Sequence, residues 1–331
     1  MRLWSGSLTL MMAALALAQP AAANDAITLV LNWVPTADHS PYYYAKQQGW
    51  YAKAGIDLTI EAGKGSGLTA QRVGVGNADF GIADLATALV AKSKGADLVA
   101  VMNVYANSPQ GLYWLKSSGI AGPKDFPGHK IGNPPGDAAR VMWPAFAQAV
   151  GIDPAAVTWV NIAPQAKIAA LKSHAVDIIS DFYNEHDLKL RDFGEDLGFL
   201  SWRSIGVNPY GNSIIVNGAY LHAHPDVVKR FVAVSQRAFG ACVATVDPCL
   251  KALFAEVSGL DERVQQDQWG RIKELMRDPS TTTIALGWFD PKRMDDDYAL
   301  VKTYFGLEQP FDVKDAYTDQ FLDRSIKMTK E

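Results

Sequence analysis

The chain has 331 residues and a formal charge of −4. That length suits two domains or lobes, and so mild a charge balance argues against nucleic acid or an anionic membrane surface as partner. Beyond the N-terminus no segment stays apolar for the roughly 20 residues that a bilayer span takes.

Residues 1–23 read as a secretory signal peptide. Arg2 is the early positive charge, Leu8 to Ala18 is the apolar stretch, and Ala21-Ala22-Ala23 is the cleavage site. The stretch is too short to cross a membrane, and no cysteine stands near the cleavage site to carry a lipid. The expected mature protein starts near Asn24, is exported, has 308 residues and, without Arg2, a charge of −5.

Ile27–Leu31 is a first strand, and it runs into an aromatic and polar cluster, Leu31-Asn-Trp-Val-Pro-Thr-Ala-Asp-His-Ser-Pro-Tyr-Tyr-Tyr-Ala45. Ligands of open α/β sheets sit beyond the carboxyl ends of strands. Aromatic faces and a few polar groups are what a small-molecule cleft uses for orientation. Any one of these aromatics could equally close a core. Tyr42, Tyr43 and Tyr44 cannot all face one way, because neighbours on a helix diverge by roughly 100°.

A strand (Ile56–Ile60), a small-residue loop (Ala62–Gly67), a helix (Leu68–Gly74) and a strand (Asn77–Asp84) follow. The same order returns later as Val157–Ile162, Ala163–Lys167, Ile168–Lys172 and Ala175–Phe182. A strand–helix–strand unit of this length is a parallel crossover. Two copies predict two α/β sheets facing one another.

Leu98–Tyr105 and Gly111–Lys116 are strand-like. A helix is expected over Ala138–Val150, a returning strand over Ser213–Asn217, and helices over Pro225–Ala244 and Asp261–Arg277. With crossovers near Leu112–Lys116 and Asn208–Ser213, the first lobe covers 24–115. The second covers 116–211, and 212–331 returns to the first with C-terminal helices.

Cys242 and Cys249 could form a disulfide in an oxidising compartment or stay as thiols. No Cys/His cluster accompanies them to hold a metal. Asp295-Asp-Asp297 reads as a solvated turn. No Gly-x-Ser-x-Gly elbow, His-Glu-x-x-His pair or P-loop is present.

Several motifs together resemble one family. They are Leu31-Asn-Trp-Val-Pro35 with His39, Gly49-Trp-Tyr51, Gly55-Ile-Asp-Leu58, Gly76-Asn-Ala-Asp-Phe-Gly81 and Leu89-Val-Ala-Lys-Ser-Lys-Gly95. Leu115-Lys-Ser-Ser-Gly119, Gly128-His-Lys-Ile-Gly132 and Ala175-Val-Asp177 complete the set. The chain resembles periplasmic substrate-binding proteins of ABC importers, in the branch of sulfonate, taurine, nitrate and pyrimidine-precursor binders. It is most similar to the last group and to the fungal thiamine-pyrimidine synthase of the same fold. The resemblance covers essentially the whole mature chain. It implies a two-lobed periplasmic-binding-protein fold (type II), a monomer that closes on a small ligand, and delivery to a membrane permease with its ATPase. It implies no cofactor.

The synthase chemistry is not carried over. Where the resemblance places the cofactor-binding lysine and the donor histidine, this chain has Ala83 and Thr87. Asn208-Pro-Tyr-Gly-Asn-Ser213 has no thiol where the synthase has its cysteines. Without that lysine no Schiff base to pyridoxal phosphate forms there.

An anion would want helix N-termini, as at Gly65-Ser66-Gly67. A flat amine-bearing heterocycle wants aromatic faces and carboxylates. Trp33, Tyr42, Tyr105, Tyr183 and Tyr210 supply faces; Asp38, Asp84 and Glu185 supply carboxylates. This inventory favours the heterocycle over sulfonate or nitrate, and the resemblance makes it an aminopyrimidine-type thiamine precursor; the alternatives in the same class are riboflavin, a sulfonate such as taurine, nitrate or an aromatic acid. Asp84 could equally cap a helix. His39, carried over from the family motif, could donate to the ligand or hold its loop. The register of Phe182-Tyr-Asn-Glu185 is open by a residue or two.

Overall fold

A computed structural model describes residues 23–305 and 307–329. The expected signal peptide, Ala23 aside, lies outside the described residues. Among the described residues, ten strands form two mixed five-stranded sheets. The first holds β1 (Asp25–Val30), β2 (Ile56–Glu61), β3 (Phe80–Asp84), β4 (Leu98–Asn103) and β10 (Asn212–Asn217), in the order β2-β1-β3-β10-β4. The second holds β5 (Gln110–Leu115), β6 (Lys130–Asn133), β7 (Thr158–Asn161), β8 (Ile178–Phe182) and β9 (Leu197–Ser201), in the order β7-β6-β8-β5-β9. In each sheet four strands run the same way, and the strand that has just arrived from the other lobe runs antiparallel between two of them. The internal repeat therefore reflects two sheets of one topology.

The first sheet is covered on both faces, which is why its central strands read as unbroken apolar runs. Along β1 and into Leu31, Ile27, Leu29 and Leu31 pack with Tyr42, Phe231 and Phe239. Val30 points the other way, to Val73 and Leu89. β10 divides likewise, with Ile214 and Val216 on one side and Ile215 on the other. The second of these clusters continues into the other lobe through Leu112, Phe126 and Ile178.

Some boundaries differ from expectation. The first crossover comes before β5, over 104–109, not near Leu112–Lys116. All of β5 pairs with β8 and β9 and so belongs to the second sheet. An apolar run shows that a strand exists, not which sheet it joins. The helix expected over Ala138–Val150 is broken into Ala138–Val141 and Trp143–Val150. Pro144 enters at the start of the second piece, where its missing N–H costs least. Asp295 and Asp296 are exposed, but Asp297 is buried on the helix Pro291–Phe305 and accepts from the Tyr210 N–H at 2.9 Å. Cys242 and Cys249 form a disulfide between the ends of the helices Pro225–Ala244 and Asp247–Glu256.

Candidate functional site

The carboxyl ends of β1, β3 and β8 converge where the lobes meet. The cleft there is lined by Asn32, Trp33, Thr36, Asp38, Gly65 and Ser66 of the first lobe. Asp137, Ala138, Asp181, Phe182, Asn184 and Glu185 line it from the second. Its free space is ≈ 370 Å³ including the open mouth, of which ≈ 20 Å³ admits the centre of a water molecule. The walls are therefore already close together.

The loop after β1 holds its own geometry. The neutral His39 ring donates from Nε2 to Asn32 Oδ1 at 2.9 Å and accepts at Nδ1 from the Thr36 N–H at 3.1 Å. Burial lowers its pKa, with the Asp38 charge opposing. Both nitrogens are thus used inside the loop, and of the two roles open to His39 the geometry supports holding it. Thr36 Oγ1 donates to Asp38 Oδ1 at 2.6 Å, and Asn212 Nδ2 approaches Asp38 Oδ2 at 3.5 Å. Asp38 is thereby fixed with its carboxylate at the cleft wall.

Asp84 ends β3 and caps the helix Leu85–Ser93, accepting from the Thr87 N–H at 3.2 Å. Across the seam, Gln110 Nε2 donates to its other oxygen at 3.3 Å. Burial pushes the Asp84 pKa up to about 6. Ser66 Oγ accepts from the Asp84 N–H at 3.0 Å. Gly67 donates its N–H to the Gly136 carbonyl at 2.9 Å, so the glycine loops of the two lobes touch backbone to backbone. Gly65 has φ +126°, and a Cβ there would stand 2.5 Å from the Gly136 carbonyl carbon.

The second lobe contributes a buried charge cluster that sequence reasoning missed. Lys167 Nζ lies 3.1 Å from Asp137 Oδ2 and 3.5 Å from Asp181 Oδ1. Lys189 Nζ lies 2.7 Å from Asp181 Oδ2 and 3.5 Å from Glu185 Oε2. Both lysines are at most 2% exposed. Burial would lower the Lys167 pKa, but Asp137, Asp181 and Glu185 outweigh it and raise it instead. Burial would raise Asp181, and the two lysines hold it low. Glu185 is raised by burial and then by the Asp181 charge. Lys167 also crosses the seam: its Nζ stands 4.4 Å from the centre of the Trp33 ring. Asp137 caps the helix that follows it, accepting from the Ala139 N–H at 2.9 Å.

The expected aromatic walls are only partly found at the cleft. Trp33 lines it. Tyr42 is buried edge-to-face on Phe239 in the first-lobe core. Tyr105 is fully buried. Burial first, and then the Asp38 charge, raise its pKa, which sets it behind the Asp38 wall. Tyr183 faces the interlobe seam, its ring between the Arg203 and Arg271 guanidiniums and its hydroxyl bonded to Arg271. Phe182, one residue earlier, lines the cleft in its place. Tyr210 sits at the hinge under Arg293, and its hydroxyl accepts from the Asp290 N–H at 2.8 Å.

Beyond the cleft, Arg271 on the helix Glu262–Met276 donates from Nε and Nη2 to the two oxygens of Asp187 at 2.9 and 3.0 Å. Arg191 pairs with Asp267 across the same seam. These contacts tie the two lobes together across the seam.

Residues 36–247 match the family described as NMT1/THI5 like. A 4-amino-5-hydroxymethyl-2-methylpyrimidine phosphate synthase of Legionella pneumophila is 29% identical over 67% of this chain and 70% of its own. A formylaminopyrimidine-binding protein of Halalkalibacterium halodurans is 21% identical over 89% of this chain and 90% of its own. The riboflavin-binding protein RibY of Chloroflexus aurantiacus is 24% identical over 89% and 86%. Among solved structures, the alkanesulfonate-binding protein SsuA of Xanthomonas axonopodis pv. citri, bound to MOPS, superposes with a TM-score of 0.71. It is 18% identical, and the match covers 90% of this chain and 100% of that one. With a family match over more than half its length and a fold repeated in both lobes, the chain belongs to the NMT1/THI5-like family.

Proposed function

We propose that this protein is the periplasmic substrate-binding component of an ABC importer and that its ligand is an aminopyrimidine-type thiamine precursor. The observation that carries the ligand class is the way the cleft treats charge. The helices that start at Leu85 and Ala138 are capped by the protein's own carboxylates, Asp84 and Asp137. A sulfonate or nitrate would want those N–H groups free. It would also meet the Asp38 carboxylate at the wall, which repels an anion. A ring bearing amino N–H groups finds acceptors in the same carboxylates and a stacking face in Trp33. The formylaminopyrimidine-binding relative, similar over nearly the whole chain, supports this reading.

Binding rather than synthesis is favoured by the residues at the positions that resemble the synthase. Ala83 is a buried core residue, and the Thr87 hydroxyl is turned to Asp84. Lys167 is paired with Asp137 and Asp181, which favour its charged form, whereas Schiff-base chemistry needs the free amine. Ligand held by one lobe adds contacts to the other and shifts the open–closed equilibrium toward closed. The permease and its ATPase are the partners that would read the closed form.

A thermal-shift panel of aminopyrimidines, riboflavin, alkanesulfonates and nitrate tests the ligand class. A ligand at 100 times its dissociation constant stabilises by about 2.7 kcal/mol. Stabilisation by aminopyrimidines alone is the expected result. A response to sulfonates with none to pyrimidines overturns the proposal.

A further inference from the structure

The Lys167 ammonium covers one face of the Trp33 ring, beside two of the carboxylates that line the cleft. It is 4.4 Å from the Trp33 ring centre, with Asp137 and Asp181 on its other sides. The cleft bounded by Trp33, Asp137 and Asp181 admits a water centre over only ≈ 20 Å³, far less than a six-membered ring needs. A ring can take this face of Trp33 only if Lys167 leaves, and a lysine on its flexible stem can do so. When it leaves, Asp137 loses its only ion-pair partner among the described residues, and Asp181 keeps Lys189 alone. A neutral occupant would leave a carboxylate buried and unpaired; an anion would add repulsion. A cation restores both the ion pair and the cation–π contact. Asn184 is an independent sign of a ligand here. It lines the same cleft, is 3% exposed, and its Oδ1 accepts no hydrogen bond.

We infer that Lys167 is a built-in occupant of the cleft and that the ligand is an aromatic cation that takes its place on Trp33. The occupant is an amidinium-type ring or a ring bearing an ammonium group, with an N–H for Asn184 Oδ1. An aminopyrimidine protonated at a ring nitrogen is such an amidinium, so the inference rests on the proposed ligand class and narrows it to the charged form. Lys167 then determines specificity in two ways. It holds the site against neutral rings, and it keeps the empty cleft charge-balanced when the lobes close.

The test is chemical rescue of Lys167→Ala in the full chain. The substitution removes the equivalent of propylamine from the cleft. At matched ionic strength, n-propylammonium should raise the Tm of Lys167→Ala by several degrees and leave the wild type unmoved, while propane-1-sulfonate should move neither. No cation response, or an equal response to the sulfonate, overturns the inference. Should the variant fail to fold, the wild-type protein decides. A short acetic-anhydride pulse mapped by mass spectrometry should find Lys167 protected alone and exposed with 4-amino-5-aminomethyl-2-methylpyrimidine; Lys167 that stays protected overturns the inference. Rescue by propylammonium with no aminopyrimidine binding to the wild type would sink the proposed function and leave this inference standing. Aminopyrimidine binding that is equal in the wild type and Lys167→Ala would do the reverse.

Discussion

Gly65→Ala isolates lobe closure from folding. Gly65 has φ +126°, and an added Cβ would lie 2.5 Å from the Gly136 carbonyl carbon and 2.8 Å from the Asp137 amide nitrogen. The left-handed backbone costs an alanine about 1–3 kcal/mol whether the lobes are open or closed. The clash is made with backbone of the other lobe and exists only when they are closed. Relieving it requires the lobes to part, and that stretches the 2.9 Å Gly67–Gly136 hydrogen bond. Overpacking of this kind costs about 1–3 kcal/mol, and the lost hydrogen bond about 1 kcal/mol. A closed state raised by about 3 kcal/mol binds roughly 100-fold more weakly. Calorimetric titration gives the affinity, and small-angle scattering gives the compaction on ligand addition. Gly136→Ala is the control, because its Cβ would meet the Leu68 side chain, which can move. It should lose much less. Wild-type affinity in Gly65→Ala would refute the reasoning that these two loops meet in the bound state.

Other predictions concern charge and covalent structure. Asp84→Asn should raise stability above pH 6. The buried carboxyl has its pKa raised to about 6, so the folded state binds protons more tightly than the unfolded, and stability is lost as pH rises from about 4 to 6. Asparagine caps as well as aspartate, and the unpartnered Gln110 Oε1 can accept from it after an amide flip. The gain is at most about 3 kcal/mol at pH 7.5 and vanishes near pH 4; a Tm–pH series without that convergence would contradict it. Arg271→Met removes the pair to Asp187 across the seam. Both partners are partly exposed, so closure should weaken by about 1 kcal/mol, and by less at high salt, as read by scattering. Reducing Cys242–Cys249 reopens a short loop and should cost about 2 kcal/mol; unchanged denaturant midpoints would show that the adjoining helices are held by packing alone.

Much of the architecture was legible in the sequence because its signals are local. The repeated strand–loop–helix–strand order requires parallel crossovers. The apolar runs of β1 and β10 require a sheet covered on both faces. Trp33 and Asp38 were legible because they follow directly on a strand end. The misplaced residues failed for specific reasons. Alternation along β8 fixes which residues share a face, not where the strand stops, so Tyr183 was put where Phe182 stands. Tyr42 and Tyr210 carry no mark that separates a core aromatic from a cleft wall. Lys167 and Lys189 were missed because lysines are almost always exposed, and their partners come from distant segments. The repeat did carry a signal for Lys167. It aligns the loop Ala163–Lys167 with Ala62–Gly67, whose Gly65-Ser66-Gly67 end offers helix N–H groups to a ligand.

The most direct test of the account is calorimetric titration of the wild-type protein with 4-amino-5-hydroxymethyl-2-methylpyrimidine and with taurine, repeated on Trp33→Ala and Glu185→Gln. The account predicts saturable binding of the pyrimidine to the wild type, clear weakening in both variants, and no heat from taurine. Saturable binding of taurine with none of the pyrimidine, or full pyrimidine affinity in both variants, would contradict it.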